Sequence, residues 1–339
     1  MSGKVRAVTM GGLLSLALLM SFILAAACAS GTVASPTPTV GSGAPAPTAT
    51  VQATTIKFGF LPIVDSLLFF VADQEGYYKE ENLDVQLVTF TSARDMDVAL
   101  TVGQIQGEIR DLIGVLLLNK DQPQVSIVQR TLKASEKYPF MSIVLPPGST
   151  ITSPQELKGK KIAVGMNTIV EYVPDIMLEK AGVPVSSVEK LDVASIPARL
   201  TMLTERQVDA AAFPEPAASI AVANGAKRLL TDPDRGQGAT TFRRDFLEKN
   251  PDAVRRFLKA TIRAAKAINA NPAKYKDLLA QKANLPEGIK SSFEMRVYPE
   301  GDIPTEEDIA LAVKWMKDKG LLTRDVTYAE TVDGKYLPR

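Results

Sequence analysis

Leu157-Lys158-Gly159-Lys160-Lys161-Ile162-Ala163-Val164-Gly165-Met166-Asn167-Thr168-Ile169-Val170-Glu171-Tyr172 decides the fold class. A charged, glycine-bearing turn gives way to a short apolar run at 161–165, the length of a buried strand. A polar loop follows. Then comes a helical pattern over 170–181, with Pro174 near its first turn and Gly182 to end it. This is one strand-loop-helix unit, and the same alternation continues on both sides. It predicts an α/β fold with largely parallel sheets.

Working upstream, 56–61 reads as a strand, and Asp65 and Ser66 cap a helix over 67–74 that stops at Gly76. A strand at 85–90 leads to Ser92 and Asp95, a capping box that opens a helix through Thr101. Asp111 caps 112–118, and 126–129 and 140–145 read as further strands. Pro146-Pro147-Gly148-Ser149 marks a crossover to a second series. There, strands at 188–192, 210–213 and 227–230 alternate with helices at 197–204 and 214–224. A short strand near 239–242 returns to the first half. A long amphipathic helix then starts at Asn250-Pro251, with Val254, Phe257, Leu258, Ile262 and Ala265 on one face. Thr305 and Asp308 box the last helix, which carries Trp315. An internal echo links the halves: Leu100-Thr101-Val102-Gly103-Gln104-Ile105-Gln106-Gly107 matches Leu203-Thr204-Glu205-Arg206-Gln207-Val208-Asp209-Ala210 in pattern. Two similar lobes follow from that, one of 56–146 with 237–339 and the other of 147–236.

The N-terminal region reads as an export signal. Lys4 and Arg6 precede an apolar run that ends Ala25-Ala26-Ala27-Cys28. Cys28, the only cysteine, stands where a lipoprotein signal places its lipidated residue, so 1–27 is expected to be removed. Residues 29–55 are almost wholly Ser, Thr, Pro, Ala, Gly and Val, and read as a disordered tether spanning about 25–30 Å. The folded body is thereby expected on the outer face of the cell membrane. Lys+Arg 39 against Asp+Glu 38 leaves no basic footprint for nucleic acid. Histidine is absent, which removes the commonest general base and metal ligand. With one cysteine and no histidine, no metal or cofactor is expected.

The chain also resembles a known family. Phe58-Gly59-Phe60-Leu61-Pro62, and then Val71-Ala72-Asp73-Gln74-Glu75-Gly76-Tyr77-Tyr78-Lys79-Glu80-Glu81-Asn82-Leu83-Asp84-Val85, are similar to the opening of solute-binding proteins for alkanesulfonates, nitrate, taurine and thiamine-type pyrimidines. The likeness continues through Gly103-Gln104, 157–165, Glu171-Tyr172, Phe213-Pro214-Glu215-Pro216 and Asn250-Pro251-Asp252-Ala253-Val254. It implies a type II periplasmic-binding fold, two lobes that close on a ligand by a hinge, and delivery to the permease of an ABC importer by a monomer. Relatives that synthesise the thiamine pyrimidine need an active-site histidine, which this chain lacks, so the resemblance implies a binder and not an enzyme.

Ligands of open α/β sheets sit beyond the carboxyl ends of strands. That rule selects Phe60, Asp65 and Ser66 after the first strand, Ser92 after the second, and Glu108, Arg110 and Asp111 after the third. In the second lobe it selects Asn167, Thr168, Glu171 and Tyr172, then Phe213 and Glu215. Asp65, Ser92 and Asp111 are equally readable as helix caps, and Phe60 and Phe213 as core. Tyr172, flat with a polar tip, is the leading contact. Five carboxylates among these loops oppose an anion. Aromatic rings with amides and hydroxyls suit a flat heterocycle instead. Gly107-Glu108-Ile109-Arg110-Asp111 resembles the riboflavin-binding branch, so riboflavin is the leading expectation. A thiamine-type pyrimidine, a sulfonate or nitrate-type anion, and a ligand-sensing lipoprotein without a transport role stand as alternatives.

Overall fold

The computed structural model describes residues 53–232 and 234–338. Cys28 and the tether lie outside them, apart from its last three residues. In chain order the strands are β1 Thr54–Phe60, β2 Leu83–Thr89, β3 Gly107–Asp111, β4 Val125–Lys133, β5 Met141–Leu145, β6 Lys161–Val164, β7 Glu189–Asp192, β8 Ala210–Pro214, β9 Lys227–Thr231 and β10 Gln237–Arg243. The helices are α1 Leu67–Gln74, α2 Tyr77–Glu80, α3 Ala93–Thr101, α4 Leu112–Leu118, α5 Ile169–Lys180, α6 Ile196–Thr204, α7 Ala217–Ala223, α8 Arg244–Lys249, α9 Pro251–Ala270, α10 Lys276–Lys282, α11 Glu287–Lys290, α12 Glu306–Asp318 and α13 Tyr328–Thr331.

Among the described residues, ten strands make two five-stranded mixed sheets with one topology. The first runs β2-β1-β3-β10-β4 and the second β7-β6-β8-β5-β9. In each, three strands are parallel, and the fourth, β10 or β5, is antiparallel to both its neighbours. The sequence echo marks equivalent places. Gln106 accepts a hydrogen bond from Lys57 N at its side chain (2.8 Å), and Asp209 does the same for Lys161 N (2.8 Å), so each fixes the entry of the third strand beside the first.

Two expectations are corrected. Residues 140–145, read as closing the first lobe, supply β5 of the second sheet, so the chain crosses before Pro146 and not at it. The returning strand, expected to be short, is the seven-residue β10, sandwiched between β3 and β4. Local periodicity records a strand but not its sheet.

Helices cover both faces, so the central strands β3 and β8 are buried on both sides. β8 is apolar throughout, whereas β3 carries Glu108, Arg110 and Asp111. In the first body Phe58 of β1 meets Phe69 of α1 (4.5 Å between ring centres), Phe257 of α9 (5.1 Å) and Phe242 of β10 (5.7 Å). Tyr78 stacks on Phe257, as packing and not as a contact for ligand. Each such ring contributes roughly 1.5–3 kcal/mol on burial. In the second body β8 alternates: Ala210 and Ala212 join the core under α5, while Ala211 and Phe213 join a separate cluster under α6 and α7. No described helix is long and apolar enough to cross a membrane.

Candidate ligand-binding cleft

The carboxyl ends of β1, β3, β6 and β8 converge on one cavity between the two sheets. It encloses about 700 Å³ of empty space with its mouth included, but a water molecule's centre reaches only about 60 Å³ of it. The cavity is a narrow slot. Leu61, Ile63, Ile109, Phe140, Ile169 and Ile196 give it apolar walls.

Polar groups enter at helix starts. Ser92 accepts from Asp95 N (3.1 Å) and Asp111 from Gly114 N (2.9 Å), so two of the three residues readable as caps are caps. Asp65 and Ser66, expected to cap α1, do not: Asp65 takes Thr131 instead, and the Ser66 side chain makes no capping bond. Thr168 caps α5 by accepting from Val170 N (3.1 Å), and like Ser92 and Asp111 it lines the cavity. The N-termini of α3, α4 and α5 thus face the cavity, where their partial positive ends favour anionic groups.

Arg110 and Asp65 also line it. Arg110 was expected after β3 but lies within it, as does Glu108. Its guanidinium donates to Asp97 from Nε (2.7 Å) and Nη2 (2.9 Å), and to Asp111 from Nη1. Burial pulls against that charge, but Asp111 and Asp97 outweigh it and hold the guanidinium above its usual range. Gly114 makes the approach possible: a Cβ there would sit 1.9 Å from Arg110 Cζ. Glu108 is buried beside Arg110, behind the cavity wall; burial and then the charge of Asp97 push its carboxyl well above the usual range.

Asp65 is buried and accepts at Oδ2 from Thr131 (3.1 Å). Its Oδ1 has no hydrogen-bond partner among the described residues. Burial raises its pKa to about 7, against the opposing bond from Thr131 and the charge of Arg296. A Cβ at Gly238 of β10 would stand 2.1 Å from Oδ2, so the carboxylate fits only beside glycine.

Several expected contacts are elsewhere. Phe60 meets Phe70 edge-on (4.7 Å) and borders a different hollow. Ser66 donates to Leu61 O (2.6 Å), which shapes the turn after β1. Asn167 has a left-handed backbone and donates its N–H to Glu171 (2.8 Å). Glu171 pairs with Lys190 (2.9 Å) and Lys319. Tyr172 stands edge-on to Trp315 (5.3 Å) in a separate hollow shared with Glu179 and Lys319, because four residues into α5 put it about 6 Å along the axis from the cleft end. Glu215 pairs with Arg228 (2.6 Å). Of the five carboxylates read as opposing an anion, three are therefore absent from the lining and one, Asp111, is paired to Arg110.

Arg199 was not anticipated. It lines the cavity from α6, almost fully buried at 1% exposure. Nη1 donates to the carbonyls of Val193 (2.7 Å) and Ala194 (3.3 Å), while Nε and Nη2 have no partner among the described residues. Among the described residues no carboxylate forms an ion pair with it. Burial lowers its pKa to about 10, with Asp192 opposing, so it stays charged at neutral pH. Its guanidinium lies over the Phe213 ring (5.7 Å), which gives Phe213 its role, beneath the cavity floor. The sequence did hold a signal: Arg199 falls between Ile196 and Leu203, on the buried face of an apolar helix. Among the described residues, no grouping of Cys, Asp and Glu could hold a metal ion.

Comparison with known proteins agrees with this architecture. Solved structures share it at low identity. The alkanesulfonate-binding protein SsuA from Xanthomonas axonopodis pv. citri, bound to MOPS, superposes with a TM-score of 0.71 at 19% identity, over 84% of this chain and 99% of that one. The periplasmic nitrate-binding protein NrtA from Synechocystis PCC 6803 gives 0.69 at 16%, over 84% and 87%. The fold is that of the periplasmic binding proteins. In sequence, the chain is 30% identical to the taurine-binding periplasmic protein of Escherichia coli K12 over 235 residues, 67% of this chain and 69% of the relative. It is 26% identical to the Saccharomyces cerevisiae 4-amino-5-hydroxymethyl-2-methylpyrimidine phosphate synthase THI11 over 267 residues, 72% and 75%. A family profile described as NMT1/THI5 like matches residues 64–275, and the chain belongs to that family.

Proposed function

We propose that this protein is the solute-capturing component of an ABC importer, and that its solute is a small zwitterion with an anionic head, of the aminosulfonate class. One observation carries the reading: a single narrow cavity is lined by a buried arginine and a buried aspartate, each with a hydrogen-bonding atom left without a partner. A buried charge without a partner is costly, and a ligand that supplies the partner recovers that cost. Arg199 and the helix N-termini suit a sulfonate, and Asp65 suits an ammonium group. The taurine-binding relative supports the same class.

The riboflavin expectation loses its support. Its aromatic argument rested on Phe60, Tyr172 and Phe213, none of which lines the cavity, and the slot is narrow for a three-ring system. The resemblance of residues 107–111 to a riboflavin-binding branch finds no support in the relatives. The yeast relatives are named as synthases, but a chain without histidine is better suited to capture than to that chemistry. Anchoring through a lipid on Cys28 and hand-over to a membrane permease belong to the proposal and rest on the sequence and the family.

Titration calorimetry of the purified full-length protein tests it. Taurine is expected to bind at least tenfold more tightly than ethanesulfonate, which lacks the ammonium group, and riboflavin not at all. Binding of riboflavin without binding of either sulfonate overturns the assignment.

A further inference from the structure

The loop between β6 and α5 walls the cavity through Gly165 and Thr168. Its two intervening backbone amides are both held by carboxylates. Met166 N donates to Asp192 Oδ1 (3.1 Å), and Asn167 N donates to Glu171 Oε2 (2.8 Å). Each of those carboxylates also binds a cation from the other side of the cleft. Asp192 takes Arg94 of α3 (3.0 and 3.2 Å), and Glu171 takes Lys319, just past the end of α12.

α12 belongs to the first body. Asp308 ties it to Arg130 (3.3 Å) and Lys133 (3.6 Å) of β4, and Ile309, Ala312 and Met316 are buried there. From that base its far end reaches α5 three times: through Lys319, through Trp315 Nε1 donating to Asp175 (3.2 Å), and through the edge contact of Trp315 with Tyr172. Lys190, on β7, bonds both Glu171 and Asp175. Two carboxylates against two lysines balance only while Lys319 is in place. When the bodies part, the second keeps both acids and one lysine, with Glu171 buried, and an incompletely compensated buried charge is unfavourable.

We propose that Asp192 and Glu171 form a two-point clasp that couples occupancy of the Gly165–Thr168 wall to closure of the two bodies, with Lys319 the positioning residue that sets the lifetime of the closed form. Arg94–Asp192 is half exposed and weak, so it gates the mouth. The Lys319–Glu171 side, largely shielded, is the stronger point. The coupling rests on the binding reading above, but the clasp itself can be tested without any ligand.

Amide hydrogen exchange of the full-length protein reads it directly. In ligand-free protein, Lys319→Gln is expected to raise exchange severalfold across residues 165–172, and Lys319→Arg to restore protection. Asp192→Asn should raise exchange at Met166 in particular, a second route should Lys319→Gln fold poorly. With taurine present, Lys319→Gln should speed dissociation about tenfold and leave the association rate within twofold. Unchanged exchange at 165–172 in Lys319→Gln, or a rise spread evenly over β1 and α9 as well, overturns the clasp. If taurine fails to bind while the exchange pattern appears, the solute class is wrong and the clasp stands.

Discussion

Asp65 and Arg199 line the same cavity from opposite sheets, one on the turn after β1 and the other on α6, and neither has a full set of partners. On the proposed function, the asymmetry of charge across that slot is what would select a zwitterion. Replacing Arg199 by Met removes the donors proposed to meet the anionic head. Affinity for taurine should fall by roughly 2–5 kcal/mol in calorimetry, the usual loss for one partner of a buried charge pair. The melting temperature should move little, because relief of an incompletely compensated buried charge is offset by loss of the hydrogen bonds to the Val193 and Ala194 carbonyls.

Asp65 makes both stability and binding depend on pH. Its carboxyl is raised to about 7 by burial. Between the ordinary aspartate range near 4 and about 7 the folded state therefore holds a proton that the unfolded state has lost, and stability falls as pH rises through that window. Thermal melts of Asp65→Asn should show a flatter pH profile and a higher melting temperature at pH 8. Ligand binding has the opposite slope. Affinity for taurine should rise as pH rises through about 7 and Asp65 becomes charged, whereas ethanesulfonate should show no such gain.

Gly238→Ala separates the pocket from the fold. The new methyl would stand 2.1 Å from Asp65 Oδ2 and must displace the carboxylate. Taurine affinity should drop at least tenfold, measured by calorimetry, in a protein that still unfolds cooperatively.

Ser92→Ala removes a cap that the sequence already announced. The serine accepts from Asp95 N and donates to its carboxylate (2.7 Å), so its loss should cost about 0.5–2 kcal/mol in denaturant unfolding. Because α3 opens on the cavity, affinity should weaken as well, though less than for Arg199→Met.

Much of the fold was legible because its signals are local. The Ser92 and Asp111 caps, the apolar α1 and the echo at 100–107 and 203–210 each depend on neighbours within a turn or two, and each stands where its sequence put it. Membership of β5 in the second sheet was not legible, since strand exchange is decided by partners that lie about 70 residues further along the chain in β8. The site was half legible for a related reason. A rule that looks just past strand ends picked out Asp65, Ser92, Arg110, Asp111 and Thr168, which line the cavity. It passed over Arg199, which reaches the cavity from the flank of a helix, and it overreached to Tyr172, one turn too deep in α5.

The exchange of β5 and β10 between the sheets also governs the order in which the chain can become native. β3 and β4 are not neighbours: β10 lies between them, and its residues come more than a hundred positions after those of β4. Until Arg243 has left the ribosome, β3 and β4 lack the strand that joins them, and each keeps an edge without that partner. The first sheet can therefore be completed only after β10 has been made, late in the chain.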